Sequence, residues 1–404
     1  MNNLALKINE VVNEKSGVSR LTLTDFRNYA FLRISADLCP IVLTGENGSG
    51  KTNILEAISF LTPGKGLRGA RLADIKRISP ALVSANYQPN IADTPSWAVS
   101  AIVTKNGEEY TLGTGAYKNL KETEDEIRAF ERRIVQIDGQ KVSSQGELGK
   151  YLSAIWITPQ MDRLFLGGTQ PRRSFLDRIV YAFDVEHAKR TANFEHIYKQ
   201  WYQLLKNGNN DNSWLTSLEE EMACLGVAIA AARRELVARL NTFIENEPDD
   251  VFPNIILELD GTIEKMLDKL PAVDVEDFYI GNLKKSRHSV VANDYVDGVN
   301  RTDFKVYYKK KHMPAELCST GEQKSLLISI ILAQTKCQIL DKGFAPVLLL
   351  DEVTTHLDDI KRDALLNKIK NLKLQAWITS TESKNFDVLR NDAQFFTVKN
   401  NQIF

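Results

Sequence analysis

The chain has no long hydrophobic run. No stretch approaches the ~18 consecutive apolar residues of a membrane-spanning helix, which excludes a helical membrane protein. Residues 1–17 are polar, carry Glu10, Glu14 and Lys15, and lack the apolar core of a secretory signal, so they read as a frayed extension. Cysteine is scarce. Cys39, Cys224, Cys318 and Cys337 are scattered with no C-x-x-C pair, which excludes a disulfide framework and a thiolate zinc site. The five histidines show no metal-ligand spacing. An excess of either charge is missing too: 51 Lys and Arg face 52 Asp and Glu, a formal net charge of −1. Any nucleic-acid contact must therefore come from local patches rather than from the overall field. Repeats and low-complexity linkers are absent. What remains is 404 residues, 43% hydrophobic and 25% charged, the composition of a globular protein of about two domains in a reducing cytoplasm.

Against that background one stretch stands out. Gly45-Glu46-Asn47-Gly48-Ser49-Gly50-Lys51-Thr52 fits the G-x-x-x-x-G-K-[ST] phosphate loop. Ile41-Val42-Leu43 leads in as a strand and Asn53 to Ile58 leads out with helical spacing. The glycines let backbone N–H groups turn around phosphate oxygens beside a helix N-terminus. Lys51 reaches the outer phosphates, and the Thr52 hydroxyl is a ligand for Mg2+. Pro346 to Leu350 is an unbroken apolar run, suited to a central parallel strand, and it ends in Asp351-Glu352. Asp351 is placed to hold Mg2+ as a Walker-B aspartate does, and Glu352 to polarise the attacking water. ATP and Mg2+ are the implied cofactors.

A third element precedes that strand. Ser319-Thr320-Gly321-Glu322-Gln323 opens a helix whose apolar face is Leu326, Leu327, Ile330, Ile331 and Ala333. Ser319 and Glu322 form a capping-box pair. The loop also resembles the signature motif of the ABC ATPase superfamily, which implies contact with the γ-phosphate held by a second subunit. His356-Leu357-Asp358 resembles the D-loop, which crosses such a dimer interface.

The rest of the pattern divides the chain. Residues 1–17 form the extension, 18–165 the first part of an ATPase lobe, 166–299 a helical second lobe, and 300–404 the return carrying signature and Walker B. Lys105-Asn106-Gly107-Glu108 and Ile137-Asp138-Gly139-Gln140 read as hairpin turns. Lys121 to Arg133 is charge-dense and reads as a solvated helix or a mobile loop. Helical periodicity runs from Arg172 to Asn246, broken at Asn207 to Asp211, and strands return from Phe252. The fold class is α/β: an ABC-type P-loop ATPase head, a mixed sheet with flanking helices, interrupted by a mainly helical lobe.

The detail resembles the RecF family of bacterial recombination-repair ATPases, relatives of the SMC proteins. Leu21 to Tyr29 is similar to the family's "L-x-L-x-x-F-R-N-Y", and Gly45 to Asn53 to its "G-x-N-G-x-G-K-T-N". Leu67-Arg68-Gly69-Ala70-Arg71 stands where the family has a basic loop. Thr158-Pro159-Gln160 and Gly167-Gly168 lead to Pro171 to Asp177, similar to "P-x-x-R-R-x-F-L-D". Asn300 replaces the histidine of "H-R-x-D-L". The resemblance covers residues 18 to 385. It implies that Arg27 and Asn28 join the ATP-binding set, and that the chain is an ATPase dimerising on ATP. It also implies binding of double-stranded DNA and double-strand/single-strand junctions, with RecR and RecO as partners and RecA loaded at gaps and stalled forks, in the SOS response.

Two departures bear on mechanism. Trp377 to Glu382 lacks the switch histidine of transporter-type ABC proteins, and only Thr381 or Glu382 stands in reserve, which suits slow, switch-like hydrolysis. Gln160 is the candidate for the glutamine that completes magnesium coordination; an ordinary polar loop residue is the other reading. The DNA candidates are Arg68 and Arg71, Lys284, Lys285 and Arg287, and Lys309, Lys310 and Lys311; a solvated face is the alternative for each. A transporter subunit is disfavoured by the second lobe between P-loop and signature, and a true SMC protein by the absence of long heptad arms. An ATP-gated protein-interaction switch without DNA contact stays open.

Overall fold

The structure, a computed structural model, describes residues 2–77, 96–123, 126–208, 211–246, 251–291 and 296–404. They form two compact units, Met1–Met161 with Gln338–Phe404 and Asp162–Cys337. By their contacts, the chain leaves the first unit after Met161 and rejoins it at Gln338.

The first unit holds two sheets. One is antiparallel: β1 (Gly17–Phe26), β2 (Tyr29–Ser35), β4 (Trp97–Lys105), β5 (Glu108–Thr123), β6 (Glu126–Ile137) and β7 (Gln140–Val142), in the order β2-β1-β4-β5-β6-β7. The hairpin turns fall where Asn-Gly and Asp-Gly predict them. Asn106 and Gly107 have φ of 50° and 79°, and Asp138 and Gly139 of 48° and 78°, the left-handed pairs of a type I′ turn.

The other sheet contains β3 (Ile41–Thr44), β8 (Ala154–Ile157), β12 (Val347–Leu350), β13 (Ala376–Ser380), β14 (Gln394–Lys399) and β15 (Gln402–Ile403), in the order β15-β14-β3-β13-β12-β8. Its pairs are parallel except the β14–β15 hairpin. β12 and β13 are buried at every position, which for β12 is why it reads as an unbroken apolar run. The register brings Thr44, Ser380, Leu350 and Ile157 to a common carboxyl edge. Helices α1 (Asn2–Asn13), α2 (Lys51–Ser59) and α9 (Asp359–Asn371) complete the unit. One core joins Leu21, Leu23 and Phe26 of β1 to Leu43, to Ile54, Leu55 and Ile58 of α2, and to Leu349.

Two expectations are corrected here. Residues 121–123 and 126–133 are strand, not a solvated helix or loop, in one register from Leu112↔Ile137 to Thr123↔Glu126. Cross-strand pairing overrides the charged local composition. The N-terminal segment is helix α1 rather than a frayed extension, with Ile8 and Val12 buried and Asn13 accepting a hydrogen bond from Lys373 Nζ at 2.5 Å.

The second unit is mainly helical: α3 (Thr169–Phe183), α4 (His187–Lys206), α5 (Asn212–Glu245), α6 (Thr262–Met266), α7 (Ala272–Val291) and the start of α8 (Thr320–Lys342). Strands β9 (Ile255–Asp260), β10 (Asp303–Tyr308) and β11 (Met313–Pro314) form a small sheet, the return of strands expected after Phe252. Helix α7 lies between them unanticipated, although Val275, Tyr279 and Leu283 bury a stripe at helical spacing. Phe194, Trp201, Met222 and Tyr279 share its core. The Pro171–Asp177 run proves to be a polar clamp. Arg172 donates to both oxygens of Asp303 at 2.8 Å, and Asp177 accepts from Arg233 at 2.8 and 2.9 Å and meets His187 Nε2 at 2.8 Å.

Candidate nucleotide site

The segments after the parallel strands converge on one edge, where open α/β sheets bind ligands. The loop 45–50 leaves β3 and enters α2. Gly45 and Gly50 have φ of 150° and 108°. A Cβ on Gly45 would lie 2.3 Å from Val398 O, and one on Gly50 2.4 Å from Asn28 Nδ2, so backbone strain and close approach both demand glycine there. Lys51, only 5% exposed, donates to Gly45 O at 2.7 Å and Glu46 O at 2.8 Å. Burial lowers its ammonium below the ordinary lysine value, while Glu352 and Asp351 pull it back up. The lysine thus sits inside its own loop, facing two carboxylates.

Thr52 Oγ1 donates to Asp351 Oδ1 at 2.8 Å, joining residues 299 positions apart. The same oxygen accepts from Thr379 Oγ1 at 2.8 Å, and Thr379 in turn accepts the Glu352 N–H at 2.9 Å. Glu352 has a φ of 48°, so the chain turns sharply as it leaves β12. Thr52 and Asp351 present hard oxygens side by side, a donor set that fits Mg2+. Gln160 is exposed in the turn Pro159–Arg163 after β8, whose Ile157 O accepts from Asp351 N at 2.9 Å.

Asn28 braces the loop: its Oδ1 accepts from Asn53 Nδ2 at 2.7 Å, and its Nδ2 reaches Ser49 O at 3.4 Å and the Asn401 side chain. Arg27 is committed elsewhere. It grips the fully buried Glu56 carboxylate at 2.6 and 2.8 Å, and Arg68 adds a third bond to Glu56 at 3.0 Å. Thr379, Glu56 and Asn401 escape the sequence reading because nothing marks them as partners of the motifs, and Asn53, inside the quoted run, was given no role of its own.

The signature loop belongs to the second unit. Ser319 N and Oγ both donate to Glu322 Oε2 at 2.9 Å, the expected capping box. Gln323 is buried and donates to Cys318 O at 2.9 Å, while Ser319 and Thr320 are exposed. Gly321 is half-buried. Asp358 caps α9 by accepting from Lys361 N at 2.8 Å, which lowers its carboxyl below the usual range. Of the basic candidates, Arg71, Lys284, Lys285, Lys309, Lys310 and Lys311 are exposed. Arg287 is turned inward onto the buried Glu219 with two 2.7 Å bonds, tying α7 to α5. Lys311 is bonded to Glu322.

Residues 17–403 match the family described as RecF/RecN/SMC N terminal domain. The DNA replication and repair protein RecF of Rhizobium rhizogenes is 42% identical over 94% of this chain and 96% of its own. The chain belongs to the RecF family. The DNA replication and repair protein RecF of Agrobacterium fabrum is 40% identical over 97% of this chain and all of its own. The fold agrees: a structure of the recombination mediator protein RecF-ATPrS in RecFOR pathway superposes with a TM-score of 0.79 at 18% identity, over 96% of this chain and 98% of that one. Among the described residues no helix is long and apolar enough to cross a membrane.

Proposed function

We propose that this RecF-family chain is an ATP-dependent DNA clamp of replication repair. The observation that carries the reading is the Thr52–Asp351–Thr379 chain of hydrogen bonds, which draws P-loop and Walker-B strand into one site. The loop amides and Lys51 bind the ATP phosphates, exchanging the carbonyls of Gly45 and Glu46 for phosphate oxygens. Thr52 and Asp351 would hold Mg2+, which supplies charge neutralisation to the phosphates. Asn28 keeps the loop in shape, and Arg27 supports α2 through Glu56. Glu352 takes the proton of the attacking water, its backbone set by Thr379. Without a switch histidine at Thr381 or Glu382, turnover is slow.

Ser319, Thr320 and Gly321 lie at the exposed N-terminus of a long helix, where N–H groups favour an anion. Docking that end on the nucleotide of a second copy makes two equal sites in a two-fold dimer. ATP is then the interface ligand, and hydrolysis releases the clamp. Family membership supports double-stranded DNA and its junctions as the ligand, RecR with RecO as partners, RecA loading and the SOS response as the setting, and a cytoplasmic location. The protein-interaction switch is the reading left if DNA does not bind.

The test begins with Lys51→Ala. Losing the cation aimed at the outer phosphates should abolish ATP binding, as read by equilibrium dialysis. Wild-type affinity in that variant would refute the site.

A further inference from the structure

The Lys309–Lys311 turn reads from sequence as a DNA candidate or a solvated face, and its three lysines are not equivalent. Lys311 Nζ is bonded to Glu322 Oε1, while the other carboxylate oxygen, Oε2, accepts from Ser319 N and Oγ at 2.9 Å. One carboxylate therefore joins the basic turn to the signature serine.

A capping box needs only the serine and the glutamate; the lysine comes from outside the helix. Its position is specified by the backbone. Residues Lys309–Lys311 form a single 3₁₀ turn between β10 and β11, closed by His312 N donating to Lys309 O at 3.2 Å. His312 follows at a φ of 49°, and Lys309 N donates to Asn254 O at 3.1 Å, which fixes the entry to the turn. The Lys311 ammonium lies 5.5 Å from the centroid of the Tyr308 ring. Backbone, ring and carboxylate all hold this side chain in one place.

The electrostatic consequence follows from helix geometry. The N-terminus of α8 favours negative charge, so Glu322 and an incoming phosphate compete for the same end. An uncompensated carboxylate beside Ser319 would oppose the phosphate, whereas a carboxylate already paired with an ammonium presents a neutral neighbour. The bond to Lys311, with those from Ser319, holds the Glu322 carboxyl down to about 2, so it is ionised and in need of that partner at neutral pH.

We propose that Lys311 is a positioning residue of the signature loop: through Glu322 it fixes Ser319 and cancels a negative charge where a nucleotide phosphate docks. The phosphate part of this rests on the dimer reading above; the positioning part does not. An exposed ion pair contributes little to global stability, so its effect falls on the loop rather than on the fold.

The experiment uses the full-length chain without DNA, as wild type, Lys311→Ala, Lys311→Arg, Glu322→Gln and the Lys311→Ala/Glu322→Gln pair. Two quantities are read: amide hydrogen exchange at residues 319–323, and the ATP concentration giving half-maximal dimer by light scattering. Lys311→Ala should speed the exchange and raise that concentration by about two- to fivefold, the span expected of an exposed pair. Lys311→Arg should restore most of both, and in the Glu322→Gln background Lys311→Ala should change neither. Wild-type exchange in Lys311→Ala would overturn the proposal, and so would an equal effect with Glu322 already removed. Should the wild type bind ATP and stay monomeric, the dimer reading fails, and the exchange data alone decide whether Lys311 positions the loop.

Discussion

Thr379 makes the smallest contacts in the site with the largest consequence. Its hydroxyl is fully buried, donates to Asp351 and accepts from the backbone of Glu352, so one oxygen links the two residues proposed to hold Mg2+ and to activate water. Thr379→Val keeps the shape and takes a partner from the buried Asp351 carboxylate and from the half-buried Glu352 N–H. A lost buried hydrogen bond costs roughly 1–3 kcal/mol, so we expect turnover to fall about tenfold or more with ATP affinity changed far less. Steady-state hydrolysis with a separate binding isotherm checks the split. The basic turn gives a second prediction at this scale. Lys309 and Lys310 are exposed while Lys311 is bonded to Glu322. Replacing Lys309 and Lys310 by Ala should flatten the dependence of log DNA affinity on log salt by up to about two units per subunit, because each phosphate contact contributes roughly one unit. An unchanged slope in a filter-binding titration would place the DNA elsewhere. What was legible at this scale was contiguous. Residues 45–52, 319–323 and 351–352 announce themselves because spacing along the chain is their geometry. Thr379 and the Asn28–Asn53–Asn401 brace were not legible, since their meaning comes from a sheet register that joins distant segments. The ion pairs of Arg27 with the buried Glu56 and of Arg287 with the buried Glu219 were not legible either, because an arginine in sequence does not reveal its carboxylate partner.

Among elements, β3 and β12 were readable from their unbroken apolar runs and α8 from its cap. The β5–β6 hairpin was not, because a charge-dense stretch gives no sign of the strand it pairs with. Helix α1 was missed because it buries only Ile8 and Val12 among the described side chains, too short a pattern to stand out. The second unit fastens its elements through carboxylates. Asp260 on β9 accepts from Lys265 of α6 at 2.5 Å and Lys305 of β10 at 2.6 Å, and these bonds hold it down to about 2. Burial raises Asp177, but His187 and Arg233 outweigh it and bring it to about 2 as well. Each of these two groups binds its proton more weakly folded than unfolded. Their contribution is therefore complete above the ordinary carboxylate range and is lost as pH falls from about 4 toward 2. Amide exchange resolved over residues 162–337 should show flat protection above pH 5 and a steep loss below about pH 4. Protection that persisted unchanged to pH 2 would mean these pairs do not hold the unit together.

At the scale of the whole molecule, the account makes a RecF-family chain function as a pair. On the proposed reading, the P-loop and Walker-B site of one copy takes the signature helix of a second copy. The measurement that tests this most directly is the molar mass of Glu352→Gln in ATP and Mg2+, by light scattering, beside the same variant carrying Ser319→Arg. The amide is nearly isosteric with the carboxylate but a poor base, so ATP should stay bound and unhydrolysed. The account predicts a stable species of twice the 45.6 kDa chain mass for Glu352→Gln, and a monomer that still binds ATP once Ser319 is replaced. A Glu352→Gln protein saturated with ATP yet monomeric, or a dimer indifferent to Ser319→Arg, would contradict it.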